Sequence, residues 1–148
     1  MQERPKLDII CIDGTAEGVR IVSNFNWSGQ CVVCSRDAYE KEPNRKEFDA
    51  SGVYLLIGPP APDLPLIYVG EGDTVNKRLR AHGKAKSFWQ TLVLFTRTPQ
   101  PLGKTQIQYL ESRLCALASA AKKCKLDNGN EPTLPSMPEA DKLDAEIF

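Results

Sequence analysis

Several things are scarce in this chain. Neither sign of charge is in excess, because 19 basic and 19 acidic residues cancel. That balance argues against a broadly basic surface of the kind that phosphate contacts need. No apolar run approaches the roughly 20 residues that cross a bilayer. The N-terminal MQERPKLD lacks the apolar core of a signal peptide. The chain therefore reads as cytoplasmic, with no membrane partner. Its five cysteines, Cys11, Cys31, Cys34, Cys115 and Cys124, are an odd number and do not suit a disulfide framework. Cys31-Val-Val-Cys34 has the spacing of half a zinc site, but tetrahedral zinc takes two more ligands, normally a second close pair. Cys115 and Cys124 are not such a pair, so Cys31 and Cys34 read as buried strand cysteines. There is one histidine, His82, and there are no internal repeats, no P-loop and no Rossmann glycine pattern.

What is present suits one domain of 148 residues, with ordinary contents of 41% hydrophobic and 26% charged residues. Residues 1–50 read as a β-rich extension that packs on a core formed by residues 51–148. In the extension, LDIICID and GVRIVSN flank the turn residues DGTAEG and predict a hairpin. QCVVCS predicts a third strand. The segment Arg36–Phe48 is charged and partly helical, interrupted at Pro43. No catalytic constellation falls in these residues, which read as structural support.

The stretch from Gly52 to His82 organises the rest. GVYLLIG and LIYVG are two strand-like runs with one tyrosine each, joined by the proline-rich GPPAPDLP. Period-two geometry puts Val53, Leu55 and Ile57 on one face and Tyr54 and Leu56 on the other. In the second run Leu66, Tyr68 and Gly70 share a face, so antiparallel pairing brings both tyrosines together. Asp73 is placed to cap a helix starting near Thr74. On its wheel Val75, Leu79 and His82 form the inner stripe, Arg78 sits at the edge and Arg80 lies opposite, toward solvent or phosphates. The charge balance also hides a local basic stripe, with Lys77, Arg78, Arg80, Lys84 and Lys86 and no acid between Asn76 and Lys86.

TLVLFTR predicts a further strand. Lys104–Lys123 is the longest helical stretch, with Ile107, Leu110, Leu114, Leu117, Ala118 and Ala121 as its apolar stripe. Glu111 falls close to that stripe, where an acid is costly without a cation or metal beside it. In-helix partners Lys104 and Arg113 sit at unfavourable offsets. Turn residues around Asn128 and Asn130 end the helix. Ser136-Met-Pro-Glu139 has a capping-box pattern for a last helix that docks through Leu143 and Ile147.

The pair Gly52-Val53-Tyr54 and Tyr68-Val69-Gly70, followed by Arg78, His82, Glu111 and the asparagine-bearing exit, resembles the GIY-YIG nuclease superfamily over residues 52–130. That resemblance implies an α+β fold, a small antiparallel β-sheet flanked by helices, here with an N-terminal β-hairpin extension. It implies a metal-dependent endonuclease that hydrolyses phosphodiester bonds in nucleic acid. DNA is the favoured substrate, with RNA and branched DNA as further candidates. Tyr54, Tyr68, Arg78, His82 and Glu111 would be the catalytic set. Glu111 would hold one Mg²⁺ or Mn²⁺, Arg78 would offset charge on the phosphate, and either tyrosine would act as general base with His82 hydrogen-bonded to it. Lys77, Arg80, Lys84 and Asn128 or Asn130 would contact substrate or brace the site. Glu71 departs from the pattern, standing where some relatives have a basic residue. With the zero net charge, it favours the alternative of a catalytically weak nucleic-acid-binding or regulatory module on the same fold.

Overall fold

Alternating β-branched and apolar residues produce seven strands that join one sheet, as seen in a computed structural model that describes residues 4–60, 63–129 and 132–148, without the side chains of residues 83 and 84. In chain order the elements are β1 (Asp8–Cys11), β2 (Arg20–Ser23), β3 (Gly29–Ser35), α1 (Arg36–Lys41), a 3-10 turn (Lys46–Asp49), β4 (Gly52–Ile57) and β5 (Leu66–Gly72). They continue with α2 (Val75–Ala85), β6 (Thr91–Arg97), α3 (Lys104–Ala121), β7 (Lys125–Leu126) and α4 (Glu139–Ile147). The sheet order is β1-β2-β3-β6-β4-β5-β7, antiparallel except for the parallel β5–β7 pair. The protein is thus α+β, but its sheet is larger than the small one expected. β3 pairs with β6 along its whole length, from Gly29 opposite Arg97 to Ser35 opposite Thr91. The first 50 residues therefore continue the sheet edge to edge. No helix among the described residues is long and apolar enough to cross a membrane.

Strand periodicity divides the core into two layers, as expected for the two tyrosine-bearing runs. Tyr54, Leu56, Leu92, Leu94, Val32 and Cys34 pack with Tyr39, Phe48, Val75 and Leu79 on the face covered by α1, the 3-10 turn and α2. Val53, Val69, Ile107 and Cys115, with Leu55, Ile67, Leu110 and Leu114 at their margin, fill the other face under α3. Both CVVC cysteines are buried, and burial pushes their thiols up to about 11. Thiols held protonated in this way are poor metal ligands.

Four local expectations differ from the structure. Thr74, not Asp73, occupies the N-cap of α2 and makes no side-chain cap bond; Asp73 lies 3.9 Å from Lys104 instead. The expected apolar stripe of α3 stops early: Leu117 and Ala121 are exposed, and Tyr109 and Ser112 are buried in their place. The C-terminal segment covers that second side, with Ser112 donating to the Pro132 carbonyl and Tyr109 to Glu146. Pro138 rather than Ser136 precedes α4 at the cap. Leu143 and Ile147 do not dock; they are 56% and 84% exposed. α4 is instead held by polar side-chain bonds and by Phe148, the residue that follows it. Arg97 Nη1 bonds Asp144 at 3.1 Å, Gln106 Nε2 donates to Asp144 at 2.9 Å, and Arg113 bonds Glu146 at 2.6 Å. The Trp27 indole N–H donates to the Phe148 carbonyl at 2.9 Å. Ala145 is the buried residue of the helix.

This attachment makes a clear prediction. Replacing Leu143 and Ile147 together by serine leaves stability within about 0.5 kcal/mol per site, as for surface positions. Arg97→Ala removes bonds to Asp144, Gln106, Gln100 and Pro101. It costs roughly 1–3 kcal/mol, because its partners are left wanting. Urea melts of the two variants check both halves.

Candidate functional site

The site is built where β4 and β5 run side by side. Tyr54 stands opposite Gly70 in the ladder. A Cβ at Gly70 would lie 2.4 Å from Tyr54 Cζ and 2.5 Å from its oxygen, so only glycine admits the ring there. Two residues on, a Cβ at Gly72 would lie 2.9 Å from Arg78 Cγ. Gly70 and Gly72 therefore clear one face of β5 for a phenol ring and for the stem of an arginine. Tyr68, next in that row, has its ring centroid 6.2 Å from that of Tyr54.

α2 lies over this face because its first turn is anchored. The Val75 N–H donates to the Ala50 carbonyl at 3.0 Å. Asn76 is buried; it donates to the Pro43 carbonyl at 2.8 Å and to Asp49 at 3.2 Å, and accepts from the Tyr39 hydroxyl at 2.7 Å. The inner stripe then runs as expected through buried Val75 and Leu79 to His82, whose ring stacks on Tyr68 at 6.0 Å and 14°. One turn further, Lys86 Nζ sits 4.3 Å from the Tyr68 ring centroid and 2.5 Å from Asp127.

Glu111 comes from α3, on the opposite face. It meets the others electrostatically near the open end of β5, where β7 pairs only with Leu66 and Ile67. Burial, and then the charge of Glu71, lifts the Glu111 carboxyl above its ordinary range, while Arg78 and Lys104 pull it back. Burial is the main cause that raises both tyrosines, and the Glu111 charge adds to it. Among the described residues Glu111 makes no hydrogen bond or ion pair. Its two in-helix candidates are engaged elsewhere, Arg113 with Glu146 and Lys104 with Glu71 at 3.0 Å.

The remaining expected residues are scattered. Lys77 is exposed, and exposed Arg80 turns to the outer side, bonded to Asn44 at 2.7 Å. The Asn128 amide is engaged with the main chain. Its Nδ2 donates to the Val69 carbonyl at 2.8 Å and its Oδ1 accepts from the Val69 N–H at 3.1 Å. It thus extends the β7 ladder with a side chain and braces the YVG strand. Asn130 and the Lys84 side chain lie outside the described residues. In the sequence Lys86 stands out only as part of the basic stripe and Lys104 only as a poorly spaced partner for Glu111; Asp127 carries no signal, because its partner Lys86 is distant in the chain.

Comparison with family models, with curated proteins and with solved structures gives no match to this chain. Among the described residues no group of three or more His, Cys, Asp or Glu side chains gathers as a metal site. A single carboxylate with retained waters is nevertheless a normal way to hold Mg²⁺. Glu111, a hard oxygen donor without a hydrogen-bond or ion-pair partner among the described residues, fits that mode.

Two outcomes follow from this geometry. Asn128→Ala orphans both Val69 main-chain groups and lowers stability by about 1–3 kcal/mol, measurable in a thermal melt. Glu111 behaves in the opposite sense. Its folded-state pKa is raised, so the stability linked to its protonated form is present at low pH and is lost as pH rises from the ordinary glutamate range through the raised value. In metal-free buffer at neutral pH, Glu111→Gln therefore melts at the same temperature as the parent or slightly above it. A drop would mark Glu111 as half of a structural ion pair.

Proposed function

We propose that this chain is a divalent-metal-dependent endonuclease of the GIY-YIG kind, acting on phosphodiester bonds in DNA. One observation carries the reading. Tyr54 from β4, Tyr68 from β5, Arg78 and His82 from α2 and Glu111 from α3 converge on one end of the sheet, and Glu111 is a half-buried carboxylate without a hydrogen-bond or ion-pair partner among the described residues. A fold needs no such convergence for stability, since the site carries unpaired charge and raised tyrosines.

Each residue has a role that its surroundings support. Arg78 is exposed, with its stem laid across Gly72, so its guanidinium is accessible to a phosphate. There it offsets the charge that grows as the phosphorus is attacked. A tyrosine would take the proton of the attacking water as phenolate; the expected lowering of its pKa is not seen, since burial first holds both phenols above their ordinary range, so the step gains as pH rises. His82 stacks on Tyr68 and fixes the ring. Glu111 would hold Mg²⁺ or Mn²⁺, which supplies further charge neutralisation at the phosphate. Lys77 and Arg80, exposed beyond the site, suit contacts with the nucleic-acid backbone.

Glu71 no longer speaks for a weak binding module. Its carboxylate is bound through both oxygens by Lys104, at 3.1 and 3.0 Å, so the acid is neutralised within the protein. Arg78 is then left to face a phosphate, while Lys86 is paired with Asp127 at 2.5 Å.

Plasmid nicking in Mg²⁺ or Mn²⁺ tests the reading. Wild type cuts; Glu111→Gln loses metal-dependent cutting but keeps metal-free DNA binding. Arg78→Ala lowers kcat/KM by about 10²–10³, the cost of one lost electrostatic donor. Arg80→Ala weakens binding instead, with the salt slope reduced by about one. A wild type that cuts neither plasmid, single-stranded nor branched DNA nor RNA, and does not respond to either metal, would leave a binding module on this fold.

A further inference from the structure

We propose that β1 is a self-pairing edge, and that two copies of this chain join there antiparallel about a two-fold axis at Ile9, so that the sheet of each copy continues into the other. β1 ends the seven-stranded sheet on one side; at the other end β7 is two residues long and offers little to pair with. All of β1 is exposed among the described residues. Leu7, Ile9, Ile10 and Ile12 are 60, 60, 59 and 42% exposed, so apolar side chains stand free on both faces of the strand. The strand holds no proline, and its unbroken register with β2 holds no bulge. Its charged residues, Lys6 and Asp8, neutralise each other at 3.4 Å. The devices that keep an edge from pairing are therefore lacking.

The hydrogen-bond pattern decides which groups the edge offers. The Ile12 N–H donates to the Val19 carbonyl at 2.9 Å, in register with the β1–β2 ladder. Asp8, Ile10 and Ile12 therefore turn their main-chain groups to β2, and Leu7, Ile9 and Cys11 turn theirs outward. A two-fold axis at Asp8 would set that carboxylate against its own copy, like charges directly opposite. An axis at Ile10 would lean on the Cys11 carbonyl, which already accepts from the Gly14 N–H at 3.1 Å. At Ile9 neither problem arises. Each Ile9 N–H donates to the other Ile9 carbonyl, and each Cys11 N–H donates to the Leu7 carbonyl of the second copy. Charge then selects a second copy as the occupant. Exposed cations, Arg4 and Lys6, precede the strand, and exposed acids, Asp13 and Glu17, follow it. Antiparallel pairing about Ile9 sets Asp13 of each copy between Arg4 and Lys6 of the other. Zero net charge leaves no overall repulsion between the copies.

Only a narrow strip around β1 is buried in this pairing, so the dimer is weak and its population depends on concentration. Sedimentation equilibrium of the full chain, from about 5 to 500 μM, reads it directly. The average mass of the wild type rises from one chain toward two. Ile9→Lys, at an exposed position, sets two lysines face to face on the axis and raises the dissociation constant about ten-fold or more, with unchanged circular dichroism. Lys6→Glu, which brings an acid to Asp13 of the second copy, weakens the dimer in the same sense. Cross-linking fixes the register without disrupting the edge. Directly opposed residues of such a pair have Cα atoms about 5.5 Å apart, within reach of a disulfide. In a Cys11→Ser background, Ile9→Cys therefore forms a disulfide between copies on mild oxidation, far faster than Ile10→Cys. A mass of one chain at every concentration would overturn the proposal and leave the edge to a strand of another protein. A dimer that Ile9→Lys leaves intact would overturn it too, as would faster cross-linking at Ile10→Cys. Cleavage plays no part in these readouts, so the proposal stands or falls apart from the nuclease reading.

Discussion

The contact between Tyr54 and Gly70 is the constraint on which the site rests. The two residues face each other across the β4–β5 ladder, and the ring fills the space that a side chain at Gly70 would take. A cross-strand pair of this kind fixes register, because a slip of one residue would turn Tyr54 to the α3 face and bring Val53 or Leu55 over the glycine. Register in turn decides everything downstream. It places Tyr68 beside Tyr54, Glu71 on the α3 face opposite Val53, and Gly72 under the stem of Arg78. The tyrosine and glycine of the two short runs are therefore one packing unit before they are anything chemical.

Charge is arranged on the same frame by a division of labour between faces. Glu71 and Glu111 both belong to the α3 side, and the charge of Glu71 adds to the burial that makes Glu111 costly; Lys104, the first residue of α3, takes Glu71 and leaves Glu111 without a mate among the described residues. On the α2 side the cations Arg78 and Lys86 stand near the phenols. An anionic group entering between the faces would meet cations on one side, and a metal ion would meet the unpaired carboxylate on the other. Both halves of that arrangement cancel within the zero net charge, which is why composition alone carries no information about it.

Much of the fold was legible because it is local. Strand periodicity located β2 to β6, the break at Pro43, and the boundaries of the last core strand, Thr91–Arg97, residue for residue. Strand register brought Tyr54 and Tyr68 together, and the wheel of α2 put His82 on its inner stripe, whereas the grouping of Arg78 and Glu111 with them came from the family resemblance and not from periodicity. What was not legible depends on partners far apart in sequence. The capping residues of α2 and α4 failed because Asp73 is drawn toward Lys104, and because Pro138, not Ser136, lies where α4 begins. The docking of α4 failed because apolarity was taken as the attachment, whereas Asp144, Glu146 and Phe148 make it through side-chain bonds and a terminal carbonyl. β7 is two residues long, too short for any periodic signal, and Asn128 completes its pairing with a side chain that no strand pattern anticipates.

The first 50 residues, which carry no catalytic group, nonetheless decide where α2 can lie. Asn76, one residue into that helix, is held by Tyr39 from α1, by the carbonyl of Pro43 and by Asp49 from the 3-10 turn. The Tyr39 ring sits edge-on to Phe48 at 5.1 Å, so the polar grip is backed by an aromatic one. A buried asparagine with three partners is costly to displace, since each orphaned group forfeits its bond without regaining water. The rotation of α2 about its axis is fixed at that point, and Arg78, His82 and Lys86 follow at intervals of four residues. The proline that interrupts the charged segment therefore has a purpose beyond ending a helix. By stopping α1 it leaves its own carbonyl free for Asn76, and through Asn76 it turns His82 and Lys86 toward Tyr68.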